Sequence, residues 1–223
     1  MIIWFVIFFI ILFVSLVLAY LSMKDYQEIP KLEKEYAIYL VKKPQFLTLQ
    51  ILKMITDLTR GKILGFEKLF KGKSNALVIF GPKKIFDERF SEILGLLELE
   101  DYTKLSGEIV AWEVGKRVSL ELGGEDIFSN IPVFEDDEHF FWQVLFSGNW
   151  CQIRAVLILQ KNERKKIILA HLENLGKGFL QVVPKPFTSS QILENYRQRI
   201  FVPSQAFKIK LEEVLKIIGL HHK

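Results

Sequence analysis

Cysteine is nearly missing from this chain of 223 residues. The one present, Cys151, cannot close an internal disulfide, so nothing in the sequence marks an oxidising compartment. Charge is missing from residues 1–23, where Lys24 is the first ionised side chain. Low-complexity and Pro/Ser-rich tracts are absent, which argues against a disordered chain and for a globular one. No Gly-x-Ser-x-Gly elbow, no His-Glu-x-x-His and no Cys/His zinc pattern occurs. Hydrolases and zinc proteins with those signatures are therefore set aside, and enzymes without a local signature stay open. The excess of basic over acidic residues is modest, net +4, and spread along the chain. It suits an anionic lipid surface as well as nucleic acid.

What is there first is a long apolar run, MIIWFVIFFIILFVSLVLAYLSM. At ~1.5 Å per residue a helix of that length extends roughly 34 Å, against a hydrocarbon core of ~30 Å. Its Ile, Leu, Val and Phe each favour insertion by roughly 0.3 to 0.6 kcal/mol at mid-membrane. A cleaved signal peptide wants a basic start, a shorter apolar core and a small-x-small site, none of which is found. A buried core helix is disfavoured because no polar face interrupts the run. The expectation is an uncleaved transmembrane helix over 1–23, with Ile3, Trp4, Phe9, Leu16, Tyr20 and Leu21 as membrane-anchor residues. Lys24, Lys31 and Lys34 form a basic juxtamembrane flank, and the N-terminal side has no Lys or Arg. That asymmetry predicts a single-pass inner-membrane protein with its N-terminus out and the bulk of the chain in the cytoplasm.

Residues 24–35 read as a juxtamembrane linker. Beyond it, 36–41 predicts a strand by its β-branched and aromatic content. Residues 47–59 carry Ile51, Met54, Ile55 and Leu58 at helical spacing, with Gly61 as C-cap. Strands follow at 66–70 and 76–80, joined by a turn at Lys71-Gly72-Lys73 and ended by Gly81-Pro82. Residues 85–97 predict a helix and 98–103 a closing strand. The order β-α-β-β-α-β over 36–105 predicts a ferredoxin-like α+β unit.

The second unit, 106–205, is read as α+β too. A hairpin is predicted from 108–114 and 117–122 about Gly115-Lys116. A helix bearing Phe141, Val144 and Leu145 follows the acidic group at 135–138, then a strand at 151–159. Residues 163–175 fit a helix or a strand, 179–183 a strand and 189–200 a helix capped by Ser189 or Ser190. A last helix carries Phe207, Leu211, Val214, Leu215 and Ile218 within a C-terminal segment, 206–223. No residue-level repeat joins the halves, so a degenerate copy and an unrelated unit are both open.

Local motifs for chemistry are weak. Gly72-Lys73-Ser74 ends like a phosphate loop, but Glu67 stands five residues earlier and a strand, not a helix, follows. The contiguous acids 135–138 lack the alternating spacing of a calcium loop and suit a helix start. His139, His171, His221 and His222 form no ligand pattern, and Cys151 opens an apolar strand as a buried thiol does. The RNA-binding strand motif is absent from 66–70 and 76–80, and Arg164-Lys165-Lys166 reads as a solvated face. No catalytic, cofactor or metal residue is assigned.

Several features together carry a resemblance: Val41-Lys42-Lys43-Pro44, Thr48, the inner strand at 76–80 and Leu99-Glu100-Asp101-Tyr102-Thr103. Trp142-Gln143, the strand at 152–159 and Glu212-Glu213-Val214-Leu215 before His221 add to it. This pattern resembles the N-terminal, non-ATPase region of conjugation or type IV secretion ATPases of small-genome bacteria. The resemblance implies a motor-less accessory region that docks other envelope or secretion-complex proteins at a lipid bilayer. The leading expectation is thus a non-catalytic docking protein. Its rivals are a membrane-tethered enzyme acting on lipid or nucleotide, and a membrane-tethered nucleic-acid binder.

Overall fold

The structure, a computed structural model, describes residues 2–24, 35–100, 102–103, 107–117, 127–160, 163–176, 179–183 and 187–220. In chain order the elements are α1 (Ile2–Lys24), β1 (Tyr36–Val41), α2 (Leu49–Leu58), β2 (Ile63–Lys71), β3 (Ser74–Pro82), α3 (Lys83–Arg89), α4 (Ser91–Leu94) and β4 (Leu96–Glu98). There follow β5 (Glu108–Lys116), β6 (His139–Ser147), β7 (Trp150–Leu159), α5 (Lys165–Leu172), β8 (Leu180–Val182), α6 (Ser189–Arg197), β9 (Phe207–Lys208) and α7 (Leu211–Ile217).

Local chemistry places several of these boundaries. Thr48 caps α2 by accepting from the Ile51 amide at 3.3 Å. Thr188 and Gln191 close a capping box at the start of α6. The two-residue loop Gly72-Lys73 joins β2 to β3, and Gly72 sits at φ 53, where a side chain would be strained.

All nine strands lie in one antiparallel sheet, in the order β4-β1-β3-β2-β6-β7-β5-β8, with β9 pairing β7. Alternation sorts the sheet into two buried faces. On one, Leu64, Phe66, Phe140, Trp142, Ile153 and Trp112 join residues of α2, α3, α4, α5 and α7 in the main core. Trp142 Nε1 donates to the Ile217 carbonyl at 2.9 Å, tying α7 to the sheet. The other face is covered by α6, through Ile192, Leu193 and Tyr196, and by Phe201, Leu99 and Tyr102 from irregular segments.

The α+β class holds, but two units do not. β2 pairs β6 over nine residues, from Ile63↔Ser147 to Lys71↔His139, so the sheet runs unbroken across the expected boundary. β4, β1, β3 and β2 are neighbours in that order, and the rest of the sheet simply continues from β2. The expectation of a ferredoxin-like unit followed by a second unit is corrected to a single nine-stranded sheet.

Other corrections are local. β5 runs straight through Gly115 and Lys116, which pair with Gln181 and Leu180, so no turn forms there. The expected return strand falls largely on 118–122, outside the described residues. The expected helix around Phe141 is strand β6, because both of its faces are buried and its apolar run carries no single period. The stretch 85–97 breaks into α3, α4 and β4, with Gly95 at φ 59 ending α4. Residues 163–175 contain helix α5, and Phe207 belongs to β9 rather than to the last helix.

Helix α1 has the apolar sequence that suggested an anchor, and its described side chains, Trp4, Phe5 and residues 7–19, are all exposed. Among the described residues no helix is long and apolar enough to cross a membrane. The expected single-pass inner-membrane span, with its signal-anchor topology, is corrected by that finding. Of the expected anchor residues, Trp4, Phe9 and Leu16 are exposed on α1. The side chains of Ile3, Tyr20, Leu21 and Lys24, and residues Lys31 and Lys34, lie outside the described ones.

Candidate functional site

The sheet face under α6 carries a line of polar side chains where apolar ones are expected. Register places Glu67 of β2 opposite Gln143 of β6, Gln143 opposite Arg154 of β7, and Arg154 opposite Glu113 of β5. All four are buried, as are Gln152 and Arg199. Burying a charge without partners is prohibitive, so each must find its own inside the protein.

Glu67 is the hub. Its Oε1 accepts from Arg199 Nε at 2.8 Å and from Gln143 Nε2 at 3.2 Å, and its Oε2 accepts from Tyr196 OH at 2.7 Å and from Tyr102 OH. Arg199 reaches it because the residue takes φ 53 just after α6, which turns the chain back over the sheet. Further along, Arg154 Nε donates to Glu113 Oε1 at 3.2 Å and Arg154 Nη1 to Gln143 Oε1 at 3.2 Å. Gln152 Nε2 also donates to Glu113, at 2.9 Å, while its Oε1 accepts from the Val202 amide at 2.8 Å.

Two carboxylates and two guanidinium groups thus balance within the row. Burial and the Glu67 charge raise both the Tyr102 and Tyr196 phenols, so both remain protonated donors. Burial works most strongly against the Arg199 cation, but Glu67 together with Tyr102 and Tyr196 outweighs it and the group is raised. For Arg154 burial wins and its affinity for the proton is lowered, with Glu113 opposing. The charged groups of this constellation meet one another, and Arg154 Nη2 is left buried without a hydrogen-bond partner among the described residues. The constellation fixes α6 and the segment after it to the sheet.

The same face is open at one end. Beyond the polar row lie two further cross-strand rows, Ala76–Leu69–Phe141 and Ser74–Lys71–His139. Together with Tyr102 and Asn75 they line a groove of about 340 Å³. Phe141 stacks on Tyr196 and meets Tyr102 edge-on, so the groove wall and the polar row share Tyr102. His139 is half-buried, and burial together with Lys71 lowers its pKa, while Asp137 opposes that.

The sequence motifs find structural roles. Gly72-Lys73-Ser74 is the β2–β3 turn, as its surroundings suggested. The acids at 135–138 precede a strand rather than a helix. Glu138 accepts from the Glu135 amide at 2.7 Å and pairs with Arg164 at 2.9 Å, and Glu135 pairs with the same Arg164 at 2.8 Å. Lys165 pairs with Glu108, so Arg164 and Lys165 both hold partners within the fold. Among the described residues no group of His, Cys, Asp and Glu could hold a metal. Cys151 is buried, and burial alone raises its thiol, leaving it protonated. His171 bonds the Ile167 carbonyl within α5, and His221 and His222 lie outside the described residues.

Sequence reading missed the polar row, although one signal was present. Glu67, Glu113, Gln143 and Arg154 each interrupt an apolar strand at an inward position. No family model matches this chain, and no curated protein matches it.

Proposed function

We propose that this chain is a non-catalytic docking protein whose helix α1 is the element a partner protein covers. The observation that carries this reading is the bare apolar surface of α1. Trp4 is 76% exposed, Phe13 69% and Phe5 65%, with Phe8, Phe9 and Leu16 close behind. Contiguous apolar surface of that kind marks an interaction site on a folded protein. Aromatic side chains also bring the largest contact area per residue to an interface. The charges of the α6 face, by contrast, are spent on one another. That the partner belongs to a secretion-type or conjugation-type envelope complex rests on the sequence resemblance alone.

The test is a crosslinked pull-down of the full chain from its native cells, beside a Phe9→Lys, Phe13→Lys variant. Recovery of a secretion-type ATPase or other envelope subunits with the native chain, and its loss with the variant, supports the reading. Recovery of the chain alone, or flotation with lipid vesicles free of other protein, overturns it.

A further inference from the structure

The geometry points to the groove at the open end of the α6 face as a binding site for a small planar aromatic carboxylate. This site is separate from helix α1. Its volume, about 340 Å³, lies in the range that small-molecule sites occupy.

The groove has the two halves that such a ligand needs. Its floor and walls are apolar: Leu69 and Ala76 from adjacent strands, with Phe141 and Tyr102 set edge-on to one another. A flat ring fits there by stacking and edge contacts. Its far row is polar, and register sets Lys71 between Ser74 on β3 and His139 on β6. Lys71 is exposed and makes no ion pair among the described residues, unlike Lys83, Lys116 and Lys165. It is thus the cation left for a ligand, with the Ser74 hydroxyl and the His139 ring beside it as hydrogen-bonding groups. Two acids stand at the edge of this row: Asp136 lies over Gly72 at the turn, and Asp137 acts on His139. Lys71 and the Ser74 hydroxyl select an anion, the two rings select a flat one, and the polar row behind Tyr102 limits its length.

The test is titration of the full chain with benzoate, phenylacetate and indole-3-acetate, followed by chemical-shift changes at the His139 ring and the Leu69 and Ala76 methyl groups. Acetate and neutral indole serve as controls. The expected result is saturable shifts at those groups with the aromatic acids and far weaker binding of both controls. Removing the charge-assisted contact with Lys71→Met should weaken binding at least about tenfold. An Ala76→Leu variant, which fills the floor, should abolish binding while the rest of the spectrum stays native. Absence of shifts with all three acids, equal binding to Lys71→Met, or indole binding as tightly as its acid would overturn the assignment.

Discussion

Glu67 shows how much a single residue can be asked to do in this fold. It is fully buried and accepts hydrogen bonds from Arg199, Gln143, Tyr196 and Tyr102. Replacing it with Gln strands the Arg199 guanidinium in a dry site, and breaking a buried pair from one side costs about 3–5 kcal/mol. A Glu67→Gln variant should show that loss in urea denaturation, and Glu67→Gln with Arg199→Met should recover part of it. His139 sets a smaller, pH-dependent effect. Burial and then Lys71 lower its pKa in the folded chain, with Asp137 opposing, so the unfolded chain protonates first as pH falls. Stability should therefore decline as pH drops below the ordinary imidazole value of ~6.5, and level off once the folded ring is protonated. The difference in urea midpoint between the native chain and His139→Gln, followed from pH 7 downward, isolates that contribution; a flat difference would contradict it.

Elements meet at positions where one atom decides the fit. A Cβ on Gly81 of β3 would lie 2.3 Å from the Phe86 ring of α3, and Phe86 is fully buried. Gly81→Ala should thus force α3 off the sheet, at about 1–3 kcal/mol, read as a lowered thermal midpoint. Helix α6 depends on its first turn. Thr188→Ala removes the side chain that caps the Gln191 amide and should cost ~1 kcal/mol. Because α6 is the cover of the polar row, hydrogen exchange at its amides should quicken more than at those of α7. The strands β2 and β3 were readable from the turn residues Lys71-Gly72-Lys73 between them. β6 was not, since a strand sandwiched between two layers buries Phe140 and Phe141 alike and shows no period of two. The expected helix over 85–97 ran past its true end because the stop at Gly95 depends on an αL turn followed by pairing of β4 with β1.

At the scale of the molecule the sheet is the unit that folds. Five helices pack on one face and α6 on the other, while the described side chains of α1 stay exposed. The Phe9→Lys, Phe13→Lys variant should therefore leave the thermal midpoint within about 2 °C of the native chain, since exposed substitutions seldom exceed ±0.5 kcal/mol. Its loss of partner capture would then reflect docking rather than unfolding. The polar row could not be read in advance because its partners are scattered in sequence. Arg154 meets Gln143 across 11 residues, but Arg199 meets Glu67 across 132. The groove depends on the same assembly, joining Lys71 and Ser74 of one hairpin to His139 and Tyr102 from elsewhere.

Composition, side-chain period and turn chemistry by themselves determined the α+β class, the β2–β3 hairpin, α2 and the apolar character of α1. These depend on neighbours within a few residues, where backbone preference and side-chain period act directly. Only the tertiary structure decided that β2 continues into β6 as one sheet, which face each polar residue occupies relative to its partners, and where that face stays open. Alternation assigns a residue to one side of its own strand; pairing between distant strands then decides whether Glu67 meets an arginine or a void.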